Sequence, residues 1–349
     1  MNRNLKNAIV KVMTVTRAYR ILEPYFQGDG AILMFHRVCP SQPDKQRISS
    51  TTSLEVSPEY LEAIIVCLKK LNYDIISLDQ LHERLMSNSS TKPFVCFTFD
   101  DGYIETYEIA YPILKKHNIP FAIYVTNSFP DETAILWWYA LEDLLLQSEK
   151  VKFEYNNHKY SYQSKSPEQK TDAFNAIRSV ILIQPQYEVA NFMETLLEDS
   201  DISIENYRSL AMTWNQVVEL SSDPLVTIGV HTVNHLNLRQ LSEDEVEQEI
   251  TTSKQEIEAK IGKVADHFSY PYGSPDEASR REFDIVKRCN FKTGTTTRQA
   301  SVFSEHKAYM ECLPRLNIYG NYQNISFFKM MLAGFSSLYS NGLQRVVTE

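Results

Sequence analysis

Short, mostly apolar strand candidates recur along this chain at 31–35, 94–99, 121–125, 226–230 and 267–270, with more polar ones at 292–296 and 313–317 and charged stretches between them. Runs of this length bounded by turn residues read as buried strands, and the stretches at 58–71, 104–117 and 243–261 read as helices. Strands alternating with helices mean repeated βα units, an α/β architecture in which crossover helices return the chain to the next strand. The 349 residues suffice for one large catalytic domain and are too few for two independent enzymes. No internal repeat or low-complexity tract interrupts the pattern.

The run at 94–99 stops at Asp100, Asp101 and Gly102, which puts two neighbouring carboxylates at the C-terminal end of a strand, where α/β folds place active sites. Neighbouring Asp residues on an extended segment project in different directions, so one can ligate a metal while the other takes a proton from water. The run at 226–230 leads into a second segment with His231 and His235. Their spacing suits one helical turn, but the strand before them favours a strand-to-loop junction. One carboxylate and two imidazoles form the open three-ligand set of a catalytic metal site. Each piece also has a plainer reading: Asp-Asp-Gly after a strand makes an ordinary turn, and each His can be a structural side chain.

A third segment, from Phe268 through Ser269, Tyr270, Pro271 and Tyr272 to Gly273, completes the set. In this order the three segments resemble the polysaccharide deacetylase family, also called the NodB-homology domain or carbohydrate esterase family four. The stretch Thr98-Phe99-Asp100-Asp101-Gly102 is similar to its first motif, and His231-Thr232-Val233-Asn234-His235 to its His-Ser/Thr-x-x-His motif. Tyr270-Pro271-Tyr272-Gly273 falls where the family has Arg-x-Pro-Tyr. The resemblance implies Asp100 as the catalytic base, Asp101, His231 and His235 as metal ligands, and the Tyr272 N–H as an oxyanion donor. The expected fold is a distorted, incomplete (β/α) barrel, and Zn2+ suits the mixed nitrogen and oxygen ligands.

The chain departs from the family pattern in three ways. Ser269 stands where the third motif has the Arg that orients the base; Arg315 is the candidate replacement, because a guanidinium on a late strand can pair with Asp100, although a rim salt bridge accounts for it equally well. No Leu-x-His, the family's source of a general acid, follows residue 273, and His306 reads as part of a polar loop. The run at 31–35 instead ends in His36-Arg37-Val38 and looks like the start of the poly-N-acetylglucosamine deacetylase subgroup, in which that strand is relocated to the front of the domain. First and last strands of a closed barrel are neighbours, so relocation preserves the geometry and makes His36 the candidate acid; a structural His is the alternative. The third departure is length. Trp137 and Trp138 open a mostly helical insertion at about 130–210, with a hairpin at 151–162 around Asn156 and Asn157. Placed after a barrel strand, it covers the active-site face as a lid or acceptor platform. The two Trp residues suit either sugar stacking or core packing.

A net charge of −9 argues against nucleic acid, which needs a basic face. Residues 1–27 are the local exception. Arg3, Lys6, Lys11, Arg17 and Arg20 interleave there with Leu5, Ile9, Val12, Met13 and Tyr19, a basic amphipathic helix that fits an anionic membrane or a seat on the barrel. Residues 321–349 read as an apolar helix too short to span a bilayer, so both ends can rest on one membrane surface, as suits a lipid-linked sugar. No signal peptide is visible, and five cysteines without CxxC spacing fit buried thiols in a reducing compartment. The expected place is the cytoplasm, with peripheral contact at the inner membrane face. The expected activity is metal-dependent hydrolysis of N-acetyl groups on an amino-sugar-containing glycan or glycolipid. Two alternatives stay open: an O-deacetylase or non-sugar amide hydrolase on the same site, and a catalytically inactive carbohydrate-binding protein.

Overall fold

A computed structural model describes residues 12–13, 16–41, 46–87, 92–342 and 344–348. Seven parallel strands form a closed ring: β1 (Gly30–Phe35), β2 (Phe94–Phe99), β3 (Phe121–Val125), β4 (Val226–Val230), β5 (His267–Ser269), β6 (Thr293–Gln299) and β7 (Leu313–Asn317). Each strand pairs with the next in sequence, and β7 returns to β1 with Leu33 opposite Leu316. The barrel is therefore incomplete only in having fewer than eight strands; its ring is shut.

Side chains along the strands alternate between two cores. Leu33, Phe35, Val95, Phe97, Phe99, Ile123, Ile228 and Val230 face the surrounding helices, among them Pro58–Lys70, Glu243–Ile261 and Arg280–Arg288. Ile32, Phe94, Cys96, Ala122, Tyr124 and Leu313 fill the interior, packed with Leu78, Leu81 and Leu85 of the helix Leu78–Ser87. Counting on by two along this inner row, the next positions at the C-terminal strand ends are His36, Asp100, His231, Ser269 and Arg315. The sheet's period alone thus delivers polar groups from five strands to one end of the barrel.

The helix expected over 104–117 is not uniform. Thr106–Ala110 takes a wider π turn before the α-helix Tyr111–Lys116. Pro112 gives the reason, since it lacks an N–H and its ring would clash with the carbonyl four residues back. Between β3 and β4 the chain leaves the barrel. The helices Trp137–Gln147, Pro167–Ile183 and Val189–Leu197 and the hairpin Lys150–Tyr155 with His158–Gln163 enclose a core of their own around Trp137, Leu141, Phe174, Ile177 and Met193. Asn156 and Asn157, at φ 49° and 61°, form the tight turn that short polar side chains favour.

Tyr19 packs on Met330, Ala333 and Phe335, so the described part of the N-terminal segment sits against the helix Ile325–Leu332. Residues 1–11, which carry Arg3, Lys6 and Lys11, lie outside the described residues. The apolar C-terminal stretch divides into Ile325–Leu332 and Phe335–Ser340 at Gly334 (φ 87°), where a Cβ would run into the backbone of Phe26. Among the described residues no helix is long and apolar enough to cross a membrane.

Candidate active site

At the end of β2 the two carboxylates meet one cavity because the backbone turns sharply between them. Extended backbone would send them to opposite faces, but Asp101 has φ 77° and Gly102 φ 101°. Thr232, His235 and Tyr272 share the left-handed conformation, at 66°, 55° and 60°. Each such non-glycine residue costs about 1 kcal/mol or more, and strain of this kind persists where the surrounding structure enforces it.

The Nε2 atoms of His231 and His235 both stand 3.3 Å from the Asp101 Oδ1. One candidate ligand atom from each of the three residues lies within 4.8 Å of the other two. The His231 Nδ1 is 2.7 Å from the carbonyl oxygen of Ser269, which can only accept, so Nδ1 carries the proton and Nε2 presents a lone pair to the carboxylate. Asp101 Oδ1 is buried and receives no hydrogen bond among the described residues. Lone pairs converging on a buried oxygen are what a divalent cation satisfies, so this donor set fits a metal such as Zn2+. Burial pushes the Asp101 carboxyl up, but His235 and the contacts from both imidazoles hold it well below its ordinary range.

Asp100 lies beside this triad and binds elsewhere. Arg315 grips it in parallel, Nη1 to Oδ1 and Nη2 to Oδ2, both at 2.7 Å. The same guanidinium donates to Ser269 Oγ at 3.0 Å, Thr98 Oγ1 at 3.3 Å and the Thr296 carbonyl at 2.9 Å, and is fully buried. Arg315 thus reaches past Ser269, the small residue that leaves it room. Burial raises the Asp100 carboxyl, yet Arg315, with His231 and His36 behind it, brings it below the usual carboxylate range.

A cavity of about 440 Å³ opens over these groups, lined by His36, Asp100, Asp101, His231, His235 and Tyr272. The His36 Nδ1 makes no hydrogen bond among the described residues, and burial lowers its pKa against the pull of Asp101 and Asp100. The Tyr272 N–H donates to nothing among the described residues. Its ring lies 4.7 Å from His235, and its hydroxyl accepts from the Trp137 indole at 3.3 Å. Trp137 is buried in the insertion's core while also lining the cavity with Trp138. His306, expected in a polar loop, is instead fully buried, with Nδ1 accepting from the Phe303 N–H: a lone apolar neighbourhood was hidden by the polar residues around it in sequence.

Two supports had no sequence signal. Glu249, from the helix Glu243–Ile261, accepts from the Val233 and Asn234 N–H groups and the Asn234 amide, fixing the loop that carries both His residues. Arg37, next to His36, pairs with Glu55 and Glu105 and donates to the Tyr139 hydroxyl. Arg47 extends the network from Glu55 to Glu142 of the insertion. Charge alternation along the sequence is too common to mark such pairs.

The sequence profile of polysaccharide deacetylases matches residues 87–182 and 194–293. The chain belongs to the polysaccharide deacetylase family. The match takes in Asp100, Asp101, His231, His235 and Tyr272 and leaves out His36 and Arg315. The Bacillus subtilis protein YxkH, named as a polysaccharide deacetylase, is 35% identical over 97 residues, 27% of this chain and 30% of that relative's length. Deacetylase PplD of Streptococcus pyogenes superposes with a TM-score of 0.56 at 19% identity, covering 86% of this chain and 97% of that one. A de-N-acetylase from Aggregatibacter actinomycetemcomitans gives 0.54 at 19% identity, over 86% and 99%. IcaB from Ammonifex degensii gives 0.53 at 16%, over 88% and 96%. At these identities the superpositions establish a common fold, the family's (β/α) barrel.

Proposed function

We propose that this polysaccharide deacetylase family member is a metal-dependent hydrolase that removes N-acetyl groups from an amino-sugar-containing glycan or glycolipid. The observation that carries the reading is the juxtaposition, in one cavity, of the Asp101–His231–His235 donor set and an Asp100 carboxylate held separately by Arg315. A divalent ion, most simply Zn2+, held by those three residues would polarise the amide carbonyl and acidify water. Asp100, kept ionised by Arg315, accepts the proton of the attacking water. The Tyr272 N–H donates to the carbonyl oxygen as charge builds there. His36, which lines the same cavity, passes to the leaving amine a proton equivalent to the one Asp100 took from water, so that both groups end the cycle as they began. Arg315 is a positioning residue, holding the base in place and charged.

The test is acetate release from N-acetylated chito-oligosaccharides and from O-acetylated xylan by the zinc-loaded protein. N-acetyl cleavage is expected, lost on chelation and restored by Zn2+. Asp100→Asn is expected to lower turnover by about 10²- to 10⁴-fold with zinc content unchanged. Release from the O-acetylated glycan alone would move the reaction to ester hydrolysis, and Asp100→Asn without effect would remove Asp100 from the chemistry.

A further inference from the structure

The insertion contributes to the cavity a cation that the deacetylase reading does not use. The helix Pro167–Ile183 turns Phe174, Ile177 and Ile181 into the insertion's core and leaves Asn175 and Arg178, three apart and so on one face, against the cavity. The Asn175 carboxamide oxygen accepts from the Ser50 hydroxyl at 3.0 Å. The Arg178 guanidinium stands 5.9 Å from the centre of the Tyr272 ring, which also contacts His235. One aromatic ring therefore separates this cation from a metal-ligating imidazole.

Arg178 differs from the other arginines near the site. Arg37, Arg47 and Arg315 are each clasped by carboxylates. Arg178 has no ion pair or hydrogen bond among the described residues. Glu277, the carboxylate lining the same cavity, accepts from the Ser274 N–H and hydroxyl and forms no ion pair with it. A half-buried guanidinium with its fork of donors unused is poorly satisfied by neutral sugar hydroxyls and matches the two oxygens of a carboxylate or phosphate.

We propose that the substrate carries an oxyanion, a uronate carboxylate or a sugar phosphate, next to the acetylated sugar, and that Arg178 binds it. The proposal rests on the deacetylase reading for the ligand's being an acetamido sugar. The closing experiment measures binding to the full-length, zinc-loaded Asp100→Asn protein by calorimetry, apart from turnover. The probes are N-acetylchitotetraose, an N-acetylheparosan tetrasaccharide, and N-acetylglucosamine 1-phosphate against N-acetylglucosamine.

At least one anionic probe is expected to bind about tenfold more tightly than its neutral counterpart, as two charge-assisted hydrogen bonds would give. Added to this background, Arg178→Gln should erase that preference while leaving neutral probes within about threefold, and Arg178→Lys should restore only part of it. A preference for the heparosan fragment assigns a uronate, and one for the phosphate a phosphorylated sugar. Equal binding of anionic and neutral probes, no binding of either anionic probe, or a preference that survives Arg178→Gln overturns the proposal. Acetate release by the wild-type protein from the neutral tetrasaccharide is scored separately. Turnover without anion preference sinks only this inference, whereas an Arg178-dependent preference without turnover on any probe sinks the deacetylase reading.

Discussion

Arg315 reaches Asp100 from a different strand than the one on which Ser269 occupies the motif position, and its geometry gives the carboxylate a bidentate partner there. Ser269 on β5 and Arg315 on β7 both face the interior, and the serine hydroxyl touches the guanidinium that has taken its place. Arg315→Met leaves a buried carboxylate without its partner, and a loss of about 3–5 kcal/mol in urea unfolding is expected. Arg315→Lys should recover little, because an ammonium cannot make two parallel bonds and a third to the Thr296 carbonyl. Ser269→Arg alone should destabilise by crowding two guanidiniums onto one carboxylate. The Ser269→Arg/Arg315→Ser double variant is expected to release acetate at least about tenfold faster than Arg315→Ser alone, since a side chain at 269 approaches the same oxygens. Equal rates would mean that the position of the arginine, and not merely its charge, is indispensable.

Short elements account for much of what holds the site, and they differ in how visible they are in sequence. Most strands were legible because apolar runs of five or six residues carry their own signal, which Thr293–Gln299 lacks, and the Asp101–His231–His235 cluster because the residue types are rare together. The Asn156–Asn157 hairpin was equally plain, and Asn157→Gly, which relieves a left-handed side chain, is expected to gain up to about 1 kcal/mol in thermal unfolding. Arg315 was legible only because Ser269 left an opening to fill. Glu249 was not, since its partners are mostly backbone N–H groups, which every residue has. The π turn before Tyr111 was missed because the apolar spacing of 104–117 is helical, and Pro112 perturbs the hydrogen bonds without disturbing that spacing. The link between insertion and barrel belongs to the same hidden class. Glu142 takes two bonds from Arg47 and one from the Ile48 N–H. Glu142→Ala is expected to cost about 3 kcal/mol and to speed hydrogen exchange over residues 46–57. Unchanged exchange there would show that the apolar contacts of the insertion suffice.

For the molecule as a whole, an ion held by Asp101, His231 and His235 would couple binding to stability. Three donors from two strand ends come together only in the folded chain, so zinc at about a hundred times its Kd should stabilise it by about 2.7 kcal/mol, read as a Tm higher by several degrees. His231→Gln should abolish the increment, and an unaltered Tm in wild type would remove the triad as a zinc site. The same closed ring has a consequence for how the protein comes into being. Asp100 is made early, but the guanidinium that steadies it sits on the final strand, which also seals the ring against the first. A ribosome must therefore add more than two hundred residues after Asp100 before that carboxylate has its partner. A polypeptide released between residues 293 and 315, by stalling or by proteolysis, carries the whole family match and lacks the partner of Asp100.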